Sequence, residues 1–182
     1  MASSELLITL PDKLFAAAES LHVGGTFALE ALTMGRDVYA LDAPVTWQAD
    51  ITNTGEAFLV MGSAEATVVG ECGRCLEPAQ YALQGEIEGY YLVGDQPDMP
   101  LDEDDEQDFD VLGEDHVIDF EPLIVGALAL ELPLVPLCTP ECKGLCPACG
   151  ANLNQGDCGC SAEDDKPDAA NPFAVLKDFK FE

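Results

Sequence analysis

The chain has 182 residues, 48% of them apolar, which is enough to bury a core and excludes global disorder. Its 35 acids against 7 bases set a formal net charge of −28, a surface that repels phosphate backbones and anionic lipid and suits basic partners. The segment Met1 to Ser20 lacks a basic start, an apolar run and a small-residue cleavage site, so it does not read as a secretory signal.

Leu6 to Leu10 reads as a first strand, stopped by Pro11. Asp12 is placed to cap a short helix over Lys13 to Ser20, and Gly24-Gly25 then punctuates the chain. Strand-like runs follow at Thr26 to Leu32, Asp37 to Leu41, Val45 to Thr52, Ala57 to Val69 and Gln80 to Val93. In the third of these, Val45, Trp47, Ala49 and Ile51 alternate with Thr46, Gln48, Asp50 and Thr52, the period of a half-buried strand. Gly35, Asn53-Thr54-Gly55 and Gly85 are turn or bulge signals. The first half therefore predicts a mostly antiparallel sheet or partial barrel.

Residues 95–115 are crowded with acids and hold neither Lys nor Arg, as a solvated loop would. They lack the spacing, central Gly and terminal Glu of a calcium loop. Asp119 is placed to cap a helix with Pro122 in its first turn, and the apolar run Leu123 to Leu132 should bury that helix against the sheet before Pro133 ends it. The longest apolar stretch, Pro122 to Leu137, contains Glu131 and interior prolines and is too short to span a bilayer. The expected fold class is α+β: a sheet domain with one buried helix over 1–137, a cysteine-rich metal-binding segment over 138–160, and a polar linker with a short final helix over 161–182. In that last helix Phe173, Leu176 and Phe179 share a face, and Lys177 and Lys180 lie near the C-terminal end.

The eight cysteines carry the chemistry. Cys72-Gly73-Arg74-Cys75 lies between two strand-like runs and so at a hairpin tip. The rest are Cys138, Cys142, Cys146, Cys149, Cys158 and Cys160. Within this second group, Cys146-Pro147-Ala148-Cys149-Gly150 has the form of a zinc knuckle, with Pro presetting the turn and Gly150 free to take positive φ. Asn152 and Asn154 suit further turns. Zinc takes four ligands in a tetrahedron and accepts thiolates well. The simplest partition is Cys146, Cys149, Cys158 and Cys160 at one ion, with Cys72, Cys75, Cys138 and Cys142 at another. That second site would clip the sheet to the end of the helix across a long loop. A quartet of Cys138, Cys142, Cys146 and Cys149 is the alternative, leaving Cys72 and Cys75 as a free pair for thiol redox chemistry. Iron in a rubredoxin-like site would use the same spacing. Arg74 and Lys143 are placed to offset the charge of about −2 on a four-thiolate zinc centre.

Closed all-thiolate sites predict structure rather than turnover. The histidines, His22 and His116, are remote in sequence from the cysteines, and no Ser nucleophile motif, phosphate loop or dinucleotide fingerprint is present. No enzyme is expected.

The segment Gly70-Glu71-Cys72-Gly73-Arg74-Cys75-Leu76 resembles the ECxRCL stretch of the YceD family. The run from Leu132 through Leu137-Cys138-Thr139-Pro140-Glu141-Cys142-Lys143-Gly144-Leu145-Cys146-Pro147-Ala148-Cys149-Gly150 to Cys158-Gly159-Cys160, and the tail Asn171-Pro172-Phe173-Ala174-Val175-Leu176, are also similar to it. The resemblance implies a factor in large ribosomal subunit biogenesis, in a family linked to 23S rRNA accumulation in bacteria and plastids, and the cysteine spacing and lack of a signal segment suit a reducing cytoplasm. Without a basic stripe or aromatic RNA platform, the acidity favours a basic ribosomal protein or assembly factor as partner, with direct rRNA contact left open.

Overall fold

The structure is a computed structural model and describes residues 6–93 and 110–160. Its spine is a long antiparallel hairpin, β6 (Ala57–Glu71) and β7 (Pro78–Leu92), paired from Ala57↔Leu92 to Glu71↔Pro78. The other edge of β6 is shared. β5 (Val45–Asn53) pairs with its first half, from Asn53↔Phe58 to Thr46↔Glu65, and β4 (Asp37–Leu41) pairs with Val68 and Val69 beyond. β2 (Ser20–Phe27) adds to β5, β3 (Ala31–Met34) to β4, and β8 (Asp110–Val111) runs parallel to the end of β7. A separate two-stranded ribbon joins β1 (Leu7–Thr9) to β9 (Val117–Asp119). Among the described residues no ladder joins β2 to β7 or β8, so the sheet is open there.

The alternating pattern makes the sheet two-faced. Val45, Trp47, Ala49 and Ile51 of β5 and Phe58, Val60, Ala64, Ala66 and Val68 of β6 are buried on one side. Helix α1 (Phe120–Leu130) packs there through Phe120, Ile124, Ala127 and Leu128, and the Phe120 ring lies 4.8 Å from that of Trp47. The approach is close: a Cβ on Gly85 would sit 2.5 Å from the Ala127 carbonyl. Gly85 is therefore neither a turn nor a bulge but a clearance for the helix, inside an unbroken ladder. Asp119 caps α1 as expected, its carboxylate accepting from Glu121 N–H at 2.9 Å, and the helix stops before Pro133. It is buried on one face only, since Leu130 is 86% exposed.

Residues 12–34 depart from expectation. The helix over Lys13 to Ser20 is a four-residue 3-10 turn, Asp12–Phe15. Ala18 takes φ +66°, and its N–H donates to the Asn53 carbonyl, while Asn53 N–H donates to Glu19 O. The buried Asn53 amide also donates to Leu14 O at 2.9 Å. These tertiary bonds pull the chain onto the end of β5 before a second helical turn can form. Gly24-Gly25 lies inside β2, where a Cβ on Gly24 would meet the Trp47 carbonyl at 2.9 Å. The run Thr26 to Leu32 is split between β2 and β3. Most of the acidic run 95–115, together with the linker and final helix proposed for 161–182, lies outside the described residues.

Candidate metal centre

The β6–β7 hairpin closes over Cys72 to Glu77. Cys72 N–H donates to Glu77 O and Leu76 N–H to Cys72 O, each at 2.9 Å, with Leu76 at φ +62°. This tip receives the chain leaving α1. Gly73 N–H donates to Pro136 O at 2.7 Å, Tyr81 Oη to Leu137 O at 3.1 Å, and Tyr39 Oη to Pro133 O at 3.4 Å. The incoming segment is thereby aimed so that Cys138 and Cys142 face Cys72 and Cys75.

The sulfurs of these four residues all lie within 4.8 Å of one another. Cys72 Sγ is 3.7 Å from Cys142 Sγ, and Cys75 Sγ is 3.6 Å from Cys138 Sγ. A tetrahedron of thiolates with metal–sulfur bonds of about 2.3 Å has edges of about 3.8 Å. The spacing thus suits four ligands around one ion, and the cysteines are free rather than paired in disulfides. Cys146, Cys149, Cys158 and Cys160 form a second quartet, again within 4.8 Å. The sulfurs therefore group as 72/75/138/142 and 146/149/158/160. They do not gather 138/142/146/149, nor do they leave Cys72 and Cys75 apart from the others.

Backbone amides surround the sulfurs. Burial opposes a thiolate at Cys72, yet the N–H groups of Arg74, Cys138 and Cys75 bring its pKa down to about 6. The amides of Cys149 and Ala148 lower Cys146 to about 7. Cys75 accepts from the Glu77 amide, but burial and the adjoining sulfurs push it up to about 12. Crowding by Cys149, Cys158 and Cys146 likewise pushes Cys160 up to about 12. Four sulfurs this close cannot all carry charge without a cation between them. A divalent metal resolves that conflict by displacing the protons, so both donor sets fit a soft divalent ion.

The second quartet is built onto the first. Leu145 N–H donates to Arg74 O at 3.2 Å, and the Arg74 guanidinium donates to Cys142 O at 2.9 Å. Gly144 sits at φ +74° where a Cβ would come 3.1 Å from Arg74 O, so glycine serves both the turn and the contact. Gly150, at φ +73°, returns its N–H to Cys146 O at 2.8 Å and closes the knuckle. The Arg74 guanidinium thus acts on the loop backbone, while its main-chain N–H is the part that serves the Cys72 sulfur. Lys143 is exposed and takes part through its main chain, its N–H donating to Asn154 Oδ1 at 2.8 Å.

Sequence reasoning missed Asn154, whose Nδ2 donates to Cys142 Sγ at 3.2 Å. The Asn152-x-Asn154 spacing signalled turns, and Asn152 Oδ1 does accept Asn154 N–H, but nothing in it pointed to a sulfur. Tyr81 and Tyr39 were missed for a similar reason, since in alternating strands they look like ordinary core residues. Neither histidine belongs to a quartet: His22 pairs with Asp50 at 2.9 Å, and the His116 ring lies 4.6 Å from that of Phe15. No helix among the described residues is long and apolar enough to cross a membrane.

The family described as large ribosomal RNA subunit accumulation protein YceD matches residues 60–180, a span that contains both quartets. An uncharacterized protein of Mycobacterium tuberculosis is 34% identical over 143 residues, covering 79% of this chain and 65% of the relative. The large ribosomal RNA subunit accumulation protein YCED homolog 1, chloroplastic, of Zea mays is 30% identical over 145 residues, covering 64% of this chain and 48% of the relative. Its Arabidopsis thaliana namesake is 36% identical over 61 residues, covering 34% of this chain and 19% of the relative. The chain thus spans less than two thirds of the length of these relatives. No solved structure matches.

Proposed function

The chain belongs to the YceD family, whose members are named for large ribosomal RNA subunit accumulation, and from that premise we propose that it is a non-catalytic, cytoplasmic factor in large ribosomal subunit biogenesis supporting 23S rRNA accumulation. In this reading each quartet holds one zinc ion in an all-thiolate site with no position left for substrate. The ions pin the cysteine segment to the hairpin tip and contribute to folding rather than to chemistry. The observation that carries the metal reading is the gathering of eight cysteines into two sets of four, with sulfur separations near a tetrahedron's edge. The amide donors and the soft thiolates favour zinc over harder cations.

The proposed partner is a basic ribosomal protein or assembly factor. Support comes from the net charge of −28 and from the solvent face of the sheet. There Asp50, Glu65, Glu86 and Glu88 stand exposed, and β2, β5, β6 and β7 contain no Lys or Arg. Such a face attracts cationic protein and repels RNA. The test is depletion of the protein in its own cell, with large-subunit RNA and precursors measured by gradient and blot. Loss of mature 23S rRNA supports the role, and unchanged RNA overturns it. Recovery of large-subunit precursors on the tagged protein, lost as salt rises, supports a charged protein contact.

A thiol redox role for Cys72 and Cys75 finds less support. A redox pair of this spacing opens a helix at its first cysteine. Here the pair lies in a turn leading into β7, with both residues buried beside Cys138 and Cys142.

A further inference from the structure

The two quartets differ in exposure. In the first, Cys72, Cys75 and Cys142 are buried and Cys138 is half-buried, whereas in the second only Cys146 is buried, Cys158 is half-buried, and Cys149 and Cys160 are exposed. A chelator or competing thiol must touch the ion to displace a ligand, so the second quartet is the kinetically open one.

The quartets are also linked by one side chain. Asn154 lies on the loop between Cys149 and Cys158, two ligands of the exposed set, and donates Nδ2 to Cys142 Sγ of the buried set at 3.2 Å. The same loop is stitched to the segment between the quartets. Leu153 N–H donates to Gly144 O at 2.9 Å, Cys146 N–H to Ala151 O at 2.8 Å, and Lys143 N–H to Asn154 Oδ1 at 2.8 Å. A donor to a buried thiolate is therefore held in place by a loop whose two ends both supply ligands to the exposed quartet.

Resting on the zinc reading above, we propose that Asn154 makes the two sites sequential: the exposed site gives up its ion first, and the loosened loop then withdraws its hydrogen bond and opens the buried site. Zinc supply would in this way decide how firmly the cysteine segment holds the hairpin tip. Groups that hydrogen-bond to metal ligands typically alter metal affinity by about 10- to 100-fold, the scale expected for this one.

The test uses the full chain loaded with zinc and challenged with EDTA. Release is followed by mixing timed samples with a chromogenic zinc indicator, while parallel samples are alkylated with iodoacetamide and mapped by mass spectrometry. Release should come in two phases, with Cys146, Cys149, Cys158 and Cys160 modified in the fast one and Cys72, Cys75, Cys138 and Cys142 in the slow one. Asn154→Asp keeps the acceptor for the Lys143 amide but removes the donor to sulfur. Because withdrawal of this bond is the step that sets the slow phase, the variant should speed that phase about tenfold and leave the fast phase unchanged. Cys149→Ser empties the exposed site without altering Asn154, and its remaining ion should leave as fast as the slow phase of Asn154→Asp. It also serves as the test if Asn154→Asp does not fold. A single phase modifying all eight thiols together, or a slow phase indifferent to either variant, overturns the proposal. Protein that folds without retaining zinc overturns the metal reading itself, whereas two ions released in one phase overturn only the coupling.

Discussion

Asn53 shows how one polar side chain directs the path of the early chain. It is 5% exposed, and both ends of its amide are used: Nδ2 donates to Leu14 O at 2.9 Å and Oδ1 accepts Gly55 N–H at 2.7 Å. Asn53→Ala removes both bonds and strands a carbonyl in the interior, which should cost about 2–3 kcal/mol. Urea denaturation should show a lower midpoint with an unchanged slope. A midpoint within error of the parent would mean that water replaces the amide. At the cysteine quartets, the residues were readable because zinc-knuckle spacing is local; counting in fours offered the pairing of Cys72 and Cys75 with Cys138 and Cys142 beside a 138/142/146/149 quartet, and only the three-dimensional gathering of the sulfurs separates the two. Asn154, Tyr39 and Tyr81 were not readable. Their partners lie 12, 94 and 56 positions away in the chain, and no residue pattern announces such a bond.

At the scale of elements, sequence reading succeeded where burial is one-sided and failed where tertiary contacts overrule local preference. β4 matched its expected bounds, and β5, β6 and β7 came within two residues because alternation marks a sheet that packs on one face. The Ala-rich stretch after Lys13 favours helix locally, but Ala18 N–H and Glu19 O bond the Asn53 backbone instead. Gly24 and Gly85 carry the same lesson: a strand glycine can be a clearance for a neighbour rather than a break. Gly85→Val tests this. Its side chain would press on the backbone of Ala127 and force α1 off the sheet, costing about 1–3 kcal/mol. In contrast, Asp119→Ala leaves the packing intact and removes only the cap bond to Glu121, for about 1 kcal/mol. Thermal melts should rank Gly85→Val below Asp119→Ala. The reverse order would show that the helix tolerates displacement and depends more on its cap.

At the scale of the whole molecule, the question is what the proposed metal ions would hold up. Among the described residues two apolar clusters form: a main one around Trp47, Phe58, Ile87 and Phe120, and a small one of Cys72, Cys75, Ala79 and Cys142. The main cluster contains no cysteine of either quartet, so the sheet and α1 would retain their core without the proposed ions. The small cluster owes its burial to the quartet and has little apolar area of its own. Metal removal should therefore melt the cysteine segment and leave the sheet. The sheet will nonetheless be weaker, because the link from Cys75 to Cys138 closes a loop across 63 positions. A cross-link of that span contributes about 4 kcal/mol by chain entropy, or about 10 °C in melting temperature for a chain of this size. Trp47 is the lone tryptophan and stacks on Phe120 in the main core, so its fluorescence reports on that core alone. After EDTA at room temperature its emission should stay in place, while the amides of Gly73, Leu145, Cys146 and Gly150 lose protection from hydrogen exchange. The melting temperature followed at Trp47 should then fall by about 10 °C. A red-shifted Trp47 emission appearing together with amide exposure would mean that the clip, rather than the apolar core, decides whether the sheet folds.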